Sequence, residues 1–305
     1  MNKRKLGRTS LLVSELCLDT AAFGTAVSEE TSFALLNAYR ELGGSFVESV
    51  GVPSGSSAEP PSEQIVGRWL KRRGISRDQI TLAARLPLAR PSGGGTISFV
   101  NLIREACESS LRRLQVGHVD LLVFDWDERL VPVADVIEAC DMLIRAGVAR
   151  YAVARGFPAW RVVDSLHRSR LRNQCRFEAV QVDGPPLANA GFEQDALAMC
   201  HEHRLGFIAR QTAPDGAALH FGAVLPDGTE SEIRTAAERH GLTRAQVASA
   251  WLLRHPGVTA LTISPATLGD LDEAVRAAKA VLIETDDGSF ADSRDHRDPV
   301  ENPLS

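Results

Sequence analysis

Apolar residues along this chain alternate between two rhythms. Short, nearly continuous runs occur at 16–20 (LCLDT), 45–50 (SFVESV), 80–86 (ITLAARL), 119–125 (VDLLVFD), 149–154 (ARYAVA), 177–183 (FEAVQVD), 206–211 (GFIARQ) and 258–264 (VTALTIS). They are rich in β-branched and aliphatic residues and read as strands buried on both faces. Between them lie stretches with apolar residues at helical spacing, including 28–42, 62–73, 100–114, 134–147, 158–168, 192–204, 232–241, 243–255 and 268–282. Ser28 suits an N-cap, and Pro158 suits a first helical turn. Eight strand-then-helix units in about 280 residues predict a closed (β/α)8 TIM barrel, with an open doubly wound sheet as the lesser option. The opening KRKLGRTSLLVSEL predicts a β-hairpin with Gly7 in its turn, placed to plug the barrel bottom. Residues 1–283 therefore form one barrel. The polar, aperiodic stretch 284–305 is expected to be a loose tail. Three segments, 54–62, 89–98 and 220–231, follow strands and would sit on the barrel face where active sites are built.

Composition narrows the partners. Hydrophobic residues make up 44% and charged residues 24%, which is enough for a sizeable core. A net charge of −5 with no block of Lys or Arg argues against nucleic acid. No apolar run reaches the ~20 residues that span a bilayer, and no apolar h-region follows MNKRKLGRTS. The expectation is a cytoplasmic protein with no membrane partner. Five cysteines without C-x-x-C spacing read as buried free thiols, with Cys17 the one candidate nucleophile because it lies on a barrel strand. Cys200-His201-Glu202-His203 looks like ligand chemistry but does not share one helix face. His118, His167, His240 and His255 fall at helix ends or on outer faces, where solvation is the expected role.

The segments KLGRTSLLVSEL, SEQIVGRWLK, ESSLRRLQVGHVDLL, AGVARYAV, GFPAWRVV and LTRAQVASAWLLRHPGVTA resemble the aldo-keto reductase family in order and spacing, from about residue 3 to about 280. The resemblance implies a barrel carrying NADP(H) across the C-terminal strand ends and an oxidoreductase activity. Position by position, however, the proton-transfer residues differ. Glu48 stands in the place of the family's Asp, Pro53 in that of its tyrosine acid, Arg85 in that of its lysine and Asp125 in that of its histidine. Proline offers neither a hydroxyl nor a backbone N–H. Among cofactor positions only Gln181 matches. Arg155-Gly156 replaces the Ser-Asn that holds the carboxamide, Gly184 the stacking aromatic residue, and Gln211-Thr212-Ala213 the Ser-Pro-Leu phosphate turn. Ala266 and Ala274 stand where the adenosine phosphate is gripped, and Asp19 replaces a glycine against the nicotinamide, where a carboxylate repels a diphosphate.

These departures lead to an expectation of no cofactor and no hydride chemistry. Glu48, Arg85 and Asp125 become the catalytic candidates, as base, anchor and acid of a lyase, isomerase, dehydratase or cyclase of specialised metabolism. Asp19, Trp126, Arg155 and Arg210 become the substrate-binding candidates, with Asp127 continuing the same edge, for a small and anionic molecule. The competing reading is an inactive homologue in which Glu48–Arg85 and Asp125–Arg155 are space-filling ion pairs. Two alternatives stay open: an NADP(H)-dependent oxidoreductase with a rebuilt acid, and a non-catalytic binding or regulatory partner. Asp19, Glu48, Asp125 and Asp183 could offer oxygens to Mg2+ or Mn2+, but arginines compete for the same carboxylates and no metal is expected. Oligomeric state is not legible in the sequence.

Overall fold

The structure, a computed structural model, describes residues 1–51, 61–87, 99–125, 132–183, 192–210 and 229–280. The segments 89–98 and 284–305, the barrel boundary at 283, and the residues Pro53, Trp126, Asp127, Gly184 and Gln211–Ala213 lie outside the described residues.

Strands β1 (Lys3–Lys5) and β2 (Leu12–Ser14) pair antiparallel in the register Lys3↔Ser14. Eight further strands close a parallel barrel: β3 (Leu16–Asp19), β4 (Phe46–Val50), β5 (Thr81–Pro87), β6 (Val119–Asp125), β7 (Ala149–Arg155), β8 (Phe177–Asp183), β9 (Gly206–Arg210) and β10 (Ala260–Ile263). Strand order follows the chain, and β10 closes the ring by pairing with both β9 and β3. The crossovers carry α1 (Glu29–Glu41), α2 (Pro61–Arg73), α3 (Phe99–Leu114), α4 (Val133–Arg145), α5 (Ala159–Arg172) and α6 (Phe192–His203). The pair α7 (Thr229–His240) and α8 (Arg244–Arg254) connects β9 to β10, and α9 (Leu268–Lys279) ends the series. This is the (β/α)8 barrel that the two rhythms predict.

Local chemistry explains the element ends. Ser28 caps α1 by accepting from the Thr31 amide, and Thr243 and Thr267 open α8 and α9 with full capping boxes. Pro158 stands at the N-cap of α5, one residue ahead of the first turn. Of the expected loop insertions, Pro61 and Ser62 belong to α2 and 229–231 to α7, while 54–60 and 220–228 lie outside the described residues.

Burial divides the strands by face. Outward residues such as Leu16, Leu18, Val47, Leu82, Leu86, Leu122 and Phe124 join the helices in the large outer core. Inward residues form a separate apolar cluster in the barrel bore. Leu6, Leu11 and Val13 of the hairpin belong to that inner cluster, so the hairpin does plug the barrel bottom. The fit is close. A Cβ on Gly206 would lie 2.5 Å from Leu6 Cδ1, and one on Gly7, at φ +52°, would lie 2.7 Å from the Glu178 carbonyl. No helix among the described residues is long and apolar enough to cross a membrane.

Candidate active site

The inner apolar cluster takes a residue from every barrel strand: Cys17, Phe46, Ala83, Val123, Val153, Ala179, Ile208 and Ala260. Successive inward positions on a strand are two residues apart. One step further towards the C-terminal ends, the same strands carry Asp19, Glu48, Arg85, Asp125, Arg155, Gln181, Arg210 and Thr262. Every one of them is polar. The barrel therefore changes within one side-chain layer from a dry bore to a ring holding three carboxyls, three guanidinium groups, an amide and a hydroxyl.

Glu48 lies at the centre of this ring. Its Oε2 accepts from Gln181 Nε2 at 2.6 Å, and its Oε1 lies 3.1 Å from Arg210 Nη1 and 3.3 Å from Arg85 Nε. Arg210 also donates through Nη2 to Asp19 Oδ2. Asp19 is further held by Ser264 Oγ at 3.2 Å and by the Ala21 amide at 2.9 Å. Arg85 reaches three carboxyls, with Asp19 at 4.0 Å and Asp125 at 3.9 Å besides Glu48. Arg155 pairs with Asp125 at the rim. The two ion pairs expected from sequence, Glu48–Arg85 and Asp125–Arg155, both form. They belong to one continuous network.

Burial grades the ring. Asp19, Glu48, Gln181, Thr262, Arg85 and Arg210 are buried, whereas the Asp125 side chain is 34% exposed and marks the mouth. Burial raises the Glu48 carboxyl above its ordinary 4.5, and the nearby Asp19 charge raises it further. Arg85, Arg210 and the Gln181 hydrogen bond pull the other way without cancelling that shift. Beneath them the Cys17 thiol is pushed well up by burial and by the Glu48 and Asp19 charges. Cys17 is therefore held as a neutral thiol, and the nucleophile reading loses its basis.

All the charged candidates within the described residues meet here: Asp19, Glu48, Arg85, Asp125, Arg155 and Arg210, with Gln181 among them. Trp126, the remaining candidate, lies outside the described residues. Thr262 and Ser264 went unnoticed in the sequence. Thr262, whose hydroxyl lies 3.4 Å from Gln181 Nε2, could have been found by counting two residues on from Ala260. The Cys200–His203 segment divides by face, Cys200 buried and His201 and Glu202 exposed.

The nicotinamide that the fold family implies can be tested against the residues present. Gln181 Oε1 is buried and has no hydrogen-bond partner among the described residues. An unpaired buried acceptor is costly, and it offers what a carboxamide N–H needs. The expectation that Asp19 repels a diphosphate needs correction. Its charge is matched by Arg210, and Arg85, Ser264 and a backbone amide lie around it, so it does not present a bare carboxylate to the pocket. The ring thus fits the carboxamide end of the cofactor.

Known proteins point the same way. The aldo/keto reductase family profile matches residues 15–290. An uncharacterized oxidoreductase, YrpG, of Bacillus subtilis is 28% identical over 299 residues, covering 91% of each chain. The norsolorinic acid reductase stcV of Emericella nidulans is 28% identical over 79% of this chain and 68% of its own. A 6-dehydroglucose reductase of Agrobacterium fabrum is 29% identical over 64% of this chain and 66% of its own. A solved thermostable aldo-keto reductase superposes with a TM-score of 0.74 at 21% identity, over 94% of this chain and 97% of that one, and shares the fold. The family match and the reductase relatives overturn the expectation of a non-redox, NADP-independent enzyme without cofactor. That expectation foresaw the Glu48–Arg85 and Asp125–Arg155 pairs but not the Arg210 bridge from Asp19 to Glu48. With a profile that covers most of its length, the chain belongs to the aldo/keto reductase family.

Proposed function

We propose that this chain is an NADP(H)-dependent oxidoreductase that interconverts a carbonyl and an alcohol on a small molecule, with Glu48 as its acid. The supporting observation is the placement of Glu48, a buried carboxyl with raised proton affinity, directly against Gln181, whose buried Oε1 has no hydrogen-bond partner among the described residues. When bound, the cofactor supplies hydride to the carbonyl carbon. Glu48 gives its proton to the carbonyl oxygen, and in the oxidation direction the carboxylate takes it back. This replaces the phenol that Pro53 cannot provide. Arg85, between Glu48 and Asp125, lies where a guanidinium can stabilise the oxygen as negative charge develops.

The ring also bears on the substrate. Arg85, Arg155 and Arg210 each face a carboxyl of the protein, so an anionic substrate would compete with Asp19, Glu48 and Asp125 for them. A neutral, hydroxylated carbonyl compound can instead exchange hydrogen bonds with Asp125 and Arg155 at the mouth without displacing a charge.

Titration of NADPH, followed by its fluorescence, and turnover of a panel of small aldehydes and ketones test the proposal. Micromolar binding with turnover is expected. Glu48→Gln should retain binding and lose about 10²- to 10⁴-fold in turnover, the usual contribution of a positioned acid. A fully active Glu48→Gln, or no NADPH binding at millimolar concentration, would overturn it.

A further inference from the structure

We propose that this chain carries a second binding site, outside the barrel mouth, for a small molecule bearing a phosphate group. The site is a cleft between α2 and α3 with a volume of about 530 Å³, the size of a small-molecule site. Its lining is Gln64 and Arg68 from α2, Ser109, Arg112 and Arg113 from α3, and Gln115 just beyond α3. None of these side chains is acidic, and every one can donate a hydrogen bond to an anion. The helices run antiparallel to the barrel strands, so the end of α3 lies at the barrel bottom, away from Asp125 and the polar ring. This site is independent of the oxidoreductase chemistry.

The cleft follows from the sequence of the two helices. Gln64 and Arg68 lie one turn apart on α2, and Ser109, Arg112 and Arg113 share one face of α3. Gly67 lets those faces meet: a Cβ there would lie 2.7 Å from the Arg113 carbonyl oxygen and hold α3 away. Gln115 ends the helix in the left-handed region, at φ +56°, where glycine is the usual residue. A glycine there would leave the cleft without that amide.

Each guanidinium is only partly engaged by the protein. Arg68 donates to Glu29 through Nε at 2.9 Å and Nη2 at 2.8 Å, which leaves Nη1. Arg113 donates through Nε to Glu63 at 2.6 Å, and its Nη2 is buried with no hydrogen-bond partner among the described residues. Arg112 donates through Nη2 to Ser109 Oγ at 2.7 Å and meets no carboxylate among the described residues. Two carboxylates thus balance two of three cations, and the third is left for a ligand. Basic residues in a last helical turn also suit the helix dipole. That accounts for Arg112 and Arg113, but not for Arg68 in the middle of α2 or for the two amides beside it. Donors from three guanidinium groups outnumber the two oxygens of a carboxylate, whereas a phosphate monoester presents three terminal oxygens and suits the arginine fork.

Calorimetric titration of the full chain with inorganic phosphate, pyrophosphate and glucose 6-phosphate, at a fixed ionic strength of about 0.15 M, tests the site. Millimolar or tighter binding of at least one of the three is expected. Arg112 is exposed, so its replacement leaves the fold intact. Arg112→Ala should weaken binding about tenfold or more, Arg112→Glu should abolish it, and Arg112→Lys should restore part of it. Arg155→Ala, at the mouth, should leave it unchanged. No binding of any probe at millimolar concentration, equal affinity in the native protein and Arg112→Glu, or loss in Arg155→Ala instead would overturn the site. Succinate bound as tightly as phosphate would overturn the choice of ligand.

Discussion

Gly67 offers a test of how the outer helices hold the site. It lies inside α2, where alanine would normally stabilise by about 1 kcal/mol. At this position a Cβ would meet the Arg113 and Leu114 carbonyl oxygens at 2.7 Å and the Leu114 carbonyl carbon at 2.8 Å. These are backbone atoms at the end of α3, so no rotamer change relieves the contact. The helices must separate by several tenths of an ångström, which loosens Ile65, Val66, Trp69 and Leu70 against the core they share with Cys107, Leu111 and Leu114. Overpacking of this kind costs about 1–3 kcal/mol and outweighs the helix propensity. With about 2–4 °C lost per kcal/mol in a large domain, Gly67→Ala should lower the melting temperature by about 2–12 °C in calorimetry. Activity should fall with it, because Ser62 on the same helix holds the Thr20 hydroxyl at 2.8 Å, next to Asp19. Gly117→Ala is the control: it has open space around it, with nothing within 4 Å, and should be nearly neutral. An unchanged or raised melting temperature for Gly67→Ala would refute the reasoning.

Two further outcomes follow from buried carboxyls. Because Glu48 binds its proton more tightly in the folded protein than in the unfolded chain, its contribution is fully present below about pH 4.5 and is lost as pH rises through the folded value. Urea unfolding across that range should show native stability declining relative to Glu48→Gln as pH increases; parallel curves would contradict the assignment. Glu63, fully buried on α2, accepts from Arg113 Nε at 2.6 Å and from the Ser110 hydroxyl. Glu63→Ala leaves the Arg113 charge between helices without that partner and should cost about 3–5 kcal/mol, with Glu63→Gln intermediate. A loss under 1 kcal/mol in denaturant titration would show that the pair is dispensable.

The amino-acid sequence by itself determined the architecture. Strand and helix rhythms are local properties, and eight alternations of them leave a closed parallel barrel as the arrangement that buries every strand on both faces. The period of two also placed Asp19, Glu48, Arg85, Asp125, Arg155, Gln181 and Arg210 at the C-terminal strand ends. Which of them meet was decided only by the tertiary structure. Arg210 reaches Glu48 across 162 residues of chain and across two intervening strands, because a barrel bore this narrow brings side chains from non-neighbouring strands into contact. Position-by-position reading of Asp19 found a charge hostile to a diphosphate. The folded chain places Arg210, Ser264 and a backbone amide around that charge, and the energy of a buried ion depends on the groups that surround it, which adjacency in sequence does not reveal.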